Sequence, residues 1–177
     1  HGLLTTQVSI LEMMGARTII KQNELYRSQA LGRYDDLVQA VAKDPAMMIY
    51  LNTVDSTAEH PNENFARELM ELFTMGEGNY TEDDVREGAR AFTGWRLTPV
   101  PRRPIPAGLA EAERNELVSQ MWAAWQPEWF LDARLHDGGT KTFLGRTGAF
   151  GGEDIISIII EQPATGRFIT RRLFREL

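Results

Sequence analysis

The chain has 177 residues with 25 acidic and 19 basic side chains, a net charge of -6, and this balance excludes a general binder of phosphate backbones, which needs a strongly basic face. It contains no cysteine, so neither a disulfide framework nor a thiolate metal site is available. A domain of this length buries roughly 70% of the surface its unfolded chain exposes, so a core forms without such staples.

The continuous apolar runs, of which Ile155-Ile156 and Ile158-Ile159-Ile160 are typical, fall far short of the ~20 residues that span a bilayer. The opening HGLLTTQVSI has no basic stretch followed by an apolar one, so no signal peptide is read there. The missing initiator Met and the ending RRLFREL, inside an amphipathic pattern, read as a fragment truncated at both ends.

In chain order, Leu3 to Met14 has weak helical periodicity, and Asp35 is placed to cap a short helix with Leu37, Val38 and Val41 on its apolar face. Asp44-Pro45 is a clearer start. Asp suits the N-cap, and Pro suits the first helical position because its missing N–H would have had no partner there. Ala46, Met47, Ile49, Tyr50 and Leu51 follow as a short buried segment. After a polar connection, Pro61-Asn62 opens a helix whose Phe65, Leu69, Leu72 and Phe73 recur at the spacing of one buried face. Gly76 and Gly78 end it.

Thr81 caps the next helix with Asp84 three residues on, Val85, Ala89 and Phe92 form its inner stripe, and Gly94 stops it. TPVPRRPIP, from Thr98 to Pro106, has four prolines in nine residues and predicts an extended surface loop over 98–108. Leu117, Val118, Met121, Trp122 and Trp125 then repeat at helical spacing up to Pro127, and this spacing places Trp122 and Trp125 in the core. Trp129-Phe130-Leu131 and Thr142-Phe143-Leu144 flank the turn residues Asp137-Gly138-Gly139, which predicts one small hairpin around 129–144. Helices over Glu153–Glu161 and Pro163–Leu177 close the chain. The expected fold is mainly α: a single-domain orthogonal helical assembly over 1–177 with that one hairpin.

Asn64, Arg67, Glu68 and Glu71 follow i, i+3, i+4, i+7 and share a helical face apart from the apolar stripe. Two carboxylates and a guanidinium there suit metal binding or acid/base work, with Arg67 tuning the carboxylates or holding an anion. The competing readings are a solvated face with an Arg67–Glu71 pair contributing roughly a few tenths of a kcal/mol, and a structural Arg–carboxylate network linking helices, sealed against Arg86, Arg90 or Tyr80. Glu82-Asp83-Asp84 is explained by capping and the helix dipole, and Gly76–Asp84 lacks the alternating acids and the bidentate Glu of a calcium loop. His1, His60 and His136 form no HExxH and no helical pair, so zinc has no support. His136-Asp137 with Lys141 reads as a polar site or as turn chemistry. Phosphate-cradling and serine-nucleophile motifs are absent from the sequence. Trp95, Trp122, Trp125 and Trp129 are candidates for lining a carbohydrate or peptide groove, with core packing the favoured reading for Trp122 and Trp125.

The string PNENFARELMELFTMGEGNYTEDDVREGARAFTGW resembles the signature of the bacterial family catalogued as domain of unknown function 1800. RSQALGRYDDLVQAVAKDPAMMIYL, HDGGTKTFLG and EDIISIIIEQPATGRFITRRLFR extend the resemblance over most of the chain, while the proline loop and the Leu109–Trp125 segment fall outside it. The resemblance implies a larger exported bacterial protein, periplasmic or at the cell surface, commonly accompanied by a companion family that resembles sulfatases. It implies no reaction and supplies no catalytic residues. Two functions are expected from these readings. One is a non-enzymatic binding or assembly module that meets an exported protein partner through a surface exposed by the proline loop or through the carboxylate face, with no nucleic acid and no cofactor. The other is a hydrolase-like enzyme using Glu68, Glu71 and Glu63 or His136 as acid/base groups or metal ligands, with Asn64, Arg67 and Trp95 binding.

Overall fold

The computed structural model describes residues 16–176, which form eight α-helices and two two-stranded antiparallel sheets. The expected mainly helical fold is what forms; Leu3–Met14 and His1 lie outside the described residues. Helix α1 (Ala16–Gln29) escapes the sequence pattern because its inner face carries buried Thr18 and Gln22 among the apolar positions. Gln22 Nε2 donates to Asp44 Oδ2 across 2.6 Å, so a polar bond stands where periodicity looks for an apolar contact.

Helix α2 (Tyr34–Ala42) begins before the expected cap. Arg33 holds the N-cap position without a side-chain cap bond, and Asp35 sits in the first turn, ion-paired to Arg33 at 2.6 Å. Asp44 does cap α3 (Pro45–Tyr50), accepting from the Met47 N–H at 3.0 Å.

Helix α4 (Asn64–Glu68) runs into a π-turn over Leu69–Thr74. Met75 N–H donates to Met70 O, five residues back, at 2.8 Å, and buried Thr74 Oγ1 donates to Leu69 O at 2.6 Å. The wider turn carries Met70 into the core and rotates Leu72 outward to 45% exposure, against the 3.6-residue expectation that buried it. Gly76 ends the segment at φ +77°. Helix α5 (Glu82–Ala91) has the full reciprocal capping box between Thr81 and Asp84, and Val85, Ala89 and Phe92 are buried as expected.

Strands β1 (Trp95–Leu97) and β2 (Trp129–Leu131) pair with each other, Leu97 opposite Trp129. Strand β3 (Lys141–Phe143) pairs with β4 (Arg146–Gly148). The hairpin expected around 129–144 is therefore replaced by two pairings. The sequence hides the second because its two turn residues are Leu144 and Gly145, at φ +46° and +77°. A Leu in that region is uncommon and gives no turn signal.

Helix α6 (Glu111–Ala124) lies in the excursion between β1 and β2, and α7 (Gly152–Ile160) and α8 (Pro163–Glu176) follow. The main core joins α2, α3, α4, the π-turn, α5 and α7. Phe92 packs edge-on against Phe65 at 4.7 Å and Trp95 at 5.1 Å. α7 starts directly against this stack: a Cβ at Gly152 would lie 2.5 Å from both the Phe92 and Trp95 rings.

Candidate functional site

The π-turn decides where the candidate carboxylates go. Arg67 turns from Glu71 and reaches Glu82 on α5 through two bonds of 2.8 Å, with Glu63 at 3.1 Å. The Arg67–Glu71 pair of the solvated-face reading is absent among the described contacts, because Glu71 accepts instead from Tyr80 Oη at 2.9 Å. Asn64 Nδ2 points back to Leu51 O at 3.4 Å. Glu68 is half-buried beside Glu71. Burial first, and then the Glu71 charge, raise its carboxyl above the usual range. Burial and the bond to Glu71 push the Tyr80 hydroxyl up to about 12. The resulting cluster has one carboxylate held by a phenol, one inclined to keep its proton, and a guanidinium committed to other acids. Among the described residues no group of three or more His, Cys, Asp or Glu side chains is arranged to hold a metal ion.

The HDGGTK segment forms a second polar centre, against α5. His136 Nδ1 lies 2.8 Å from Thr93 O; since a carbonyl only accepts, Nδ1 is the donor in this contact. The Asp137 N–H donates to Thr93 Oγ1 at 2.8 Å, and its carboxylate takes Arg90 Nε at 2.7 Å and the Gly139 N–H at 2.9 Å. Arg90 holds the Asp137 carboxyl below its usual range. The Lys141 side chain is fully buried, donates to Asp137 O at 2.5 Å and Gly139 O at 2.9 Å, and loses proton affinity through that burial. Glu87 and Asp84, one turn apart on α5, accept the Thr142 and Leu144 N–H groups at 3.1 and 2.7 Å. The two carboxylates thus occupy the free edge of β3, where another strand would otherwise bond. An open polar groove of about 760 Å³ lies over this edge, lined by Arg86, Arg90, Thr140 and Thr142.

Trp95 is only 2% exposed and packs between Phe92 and Trp129, so its ring belongs to the core. Trp122 departs from expectation in the opposite direction. It is 43% exposed, and α6 buries none of its residues.

Residues 99–127 form an arm rooted where Thr98 and Glu128 bond each other, Thr98 N–H to Glu128 O at 2.9 Å and Glu128 N–H to Thr98 Oγ1 at 3.0 Å. Trp125 fastens its near end, donating to Thr98 O at 2.8 Å and packing against Ala46. Farther out, the proline segment lies along α6 and leaves a groove of about 410 Å³ lined by Pro101, Arg103, Ile105, Leu117 and Met121.

A family model described as a protein of unknown function, DUF1800, matches residues 3–177. The chain belongs to the DUF1800 family. No curated protein and no solved structure matches it.

In this DUF1800 domain Tyr80 does meet Glu71, as one of the groups the sequence offered for sealing that face, and the polar residue that sequence reasoning passed over is Glu87. Asp84 and Glu87 stand at i, i+3, and Thr142 and Leu144 are alternate strand residues. That pairing of a helical with a strand period was present in the sequence, but nothing local aligned the two segments.

Proposed function

We propose that the domain is a non-catalytic helical binding and assembly module of an exported bacterial protein, and that it meets a protein partner through the arm. The observation that carries this reading is α6: a fourteen-residue helix with no buried residue, exposing Trp122 and bordering, with Leu117 and Met121, a groove of mixed polar and apolar lining at the end of a two-stranded stem. A helix of that length is marginal alone in water and gains its stability from packing, so a partner supplies what the body does not. The periplasmic or cell-surface setting rests on the family resemblance and is checked by fractionating the native host.

The test compares partner recovery by the wild-type protein and by Leu117→Glu and Met121→Glu variants from the native host. Stoichiometric recovery lost in the variants, with unchanged thermal unfolding, supports the reading. Recovery indifferent to both variants sinks it.

The second reading is a hydrolase-like enzyme working at Glu68 and Glu71, with or without a bound metal. It is favoured by Glu68, whose carboxyl is raised by burial, standing beside Glu71 at a π-turn, a distortion frequent at functional sites. Metal analysis and turnover assays on Glu68→Gln and Glu71→Gln decide it. Metal content and activity unchanged from wild type eliminate this reading.

A further inference from the structure

We propose that the π-turn over Leu69–Thr74 is one of two registers open to this segment, and that helix α8 holds it there. Release of α8 returns the segment to the α register, in which Glu71 leaves Tyr80 for Arg67. The device sets the state of the carboxylate face under either functional reading.

The local sequence favours the α register. A 3.6-residue period buries Leu72 with Phe65, Leu69 and Phe73, and it sets Glu71 one turn after Arg67, a spacing at which opposite charges stabilise a helix. The structure forgoes both gains: Leu72 is 45% exposed, and Glu71 accepts from Tyr80 Oη. Both registers lie within reach of one side chain. Buried Thr74 Oγ1 is 2.6 Å from Leu69 O, its π-register neighbour, and 3.5 Å from Met70 O, its α-register neighbour. The loop that follows is able to absorb the change, since Gly76 and Gly78 both adopt positive φ and Glu77, Gly78 and Asn79 are exposed.

What holds the wider register comes from other helices. Arg172 of α8 donates to Leu72 O at 3.1 Å, and its guanidinium lies 5.8 Å from the centre of the Phe168 ring, one turn earlier on the same helix. That ring closes on Gly76, where a Cβ would lie 2.8 Å from it. Helix α8 therefore grips the π-turn at a carbonyl and at its end. Tyr34 of α2 adds a third hold by donating to Phe73 O. An element with two registers, biased by α8 on one side and carrying Glu71 on the other, couples the two by shifting its population. With α8 in place Glu71 is bound to a phenol; with α8 displaced it joins Glu63 and Glu82 around Arg67.

Scalar couplings across hydrogen bonds, measured by NMR on the isotope-labelled chain, name the acceptor of the Met75 N–H: Met70 in the π register and Glu71 in the α register. Wild type is expected to show Met70, in line with the 2.8 Å bond. Arg172→Gln and Tyr34→Phe each remove one hold from outside the carboxylate face. Each should shift the ratio of registers toward α about fivefold, and the pair about twenty-five-fold. The double variant should then show coupling to Glu71, and its Leu72 methyls should become less accessible to a soluble paramagnetic probe. If α8 and Tyr34 only glue the helices together, the variants melt earlier while Met75 keeps Met70 and Leu72 stays exposed, and that result overturns the proposal. Should the double variant fail to fold, relaxation dispersion on Arg172→Gln alone decides. Exchange at Leu72 and Met75 above the wild-type level supports two registers, and dispersion equal to wild type overturns them.

Discussion

Asp137 ties together several polar contacts of the domain: its carboxylate holds Arg90 and the Gly139 N–H, and its carbonyl accepts from buried Lys141. Its folded-state proton affinity is depressed, so the stability it contributes is fully present above the unfolded value near 3.9 and is lost as pH falls through the lower folded value. Asp137→Asn should cost about 2 kcal/mol at pH 7, lowering the melting temperature by roughly 6 °C. The difference from wild type should shrink below about pH 4, as a pH series of thermal melts will show.

Glu68 has the opposite sign. Its folded affinity is raised by burial and by Glu71, so its ionisation opposes folding above the folded value and has no effect once both states are protonated. Glu68→Gln should therefore unfold at or slightly above the wild-type temperature at pH 7, with the gain gone in acid; a marked loss at pH 7 would refute this electrostatic account. Gly94 shows the limit set by backbone. It sits at φ +77°, and a Cβ there would lie 2.6 Å from Asp132 O and 2.9 Å from the His136 N. Gly94→Ala should cost about 3 kcal/mol, measured by urea denaturation.

Among the elements, the helices with strong local signals were legible: the Asp44-Pro45 start, the Thr81 capping box and the Val85/Ala89/Phe92 stripe stand where the residues put them. The π-turn was not, because a 3.6-residue period places Leu72 inward and Glu71 beside Arg67, and one widened turn reverses both. The pairing of β2 with β1 was also hidden, since the chain between them is an arm of their own connection and not a turn. That topology makes a prediction. Replacing Thr98–Glu128 by Asn-Gly should leave β1 and β2 joined by a short hairpin turn. The remaining domain should unfold cooperatively, with circular dichroism losing only the contribution of α6. Loss of cooperative unfolding would mean that the arm is part of the body after all.

For the whole molecule, stability is concentrated where α4, α5 and α7 meet β1 around Phe92. Phe92→Ala should cost about 4 kcal/mol, a large part of a domain's usual 5–15 kcal/mol, and chemical denaturation will report it as an earlier midpoint. A loss under about 1 kcal/mol would mean that this stack is not the centre of the fold.

By itself the sequence determined the mainly helical class, the caps and stops of the central helices, the family, and the residues from which a site would have to be built. Those follow from interactions a few residues apart, where side-chain chemistry and backbone preference act directly. Only the tertiary structure decided that Trp95 is core and Trp122 surface, that Arg67 answers to Glu82 and Glu71 to Tyr80, and that α6 stands off the body on a stem. Each of these depends on which distant segment arrives at the other side of a residue, and apolar or charged character alone does not name that segment.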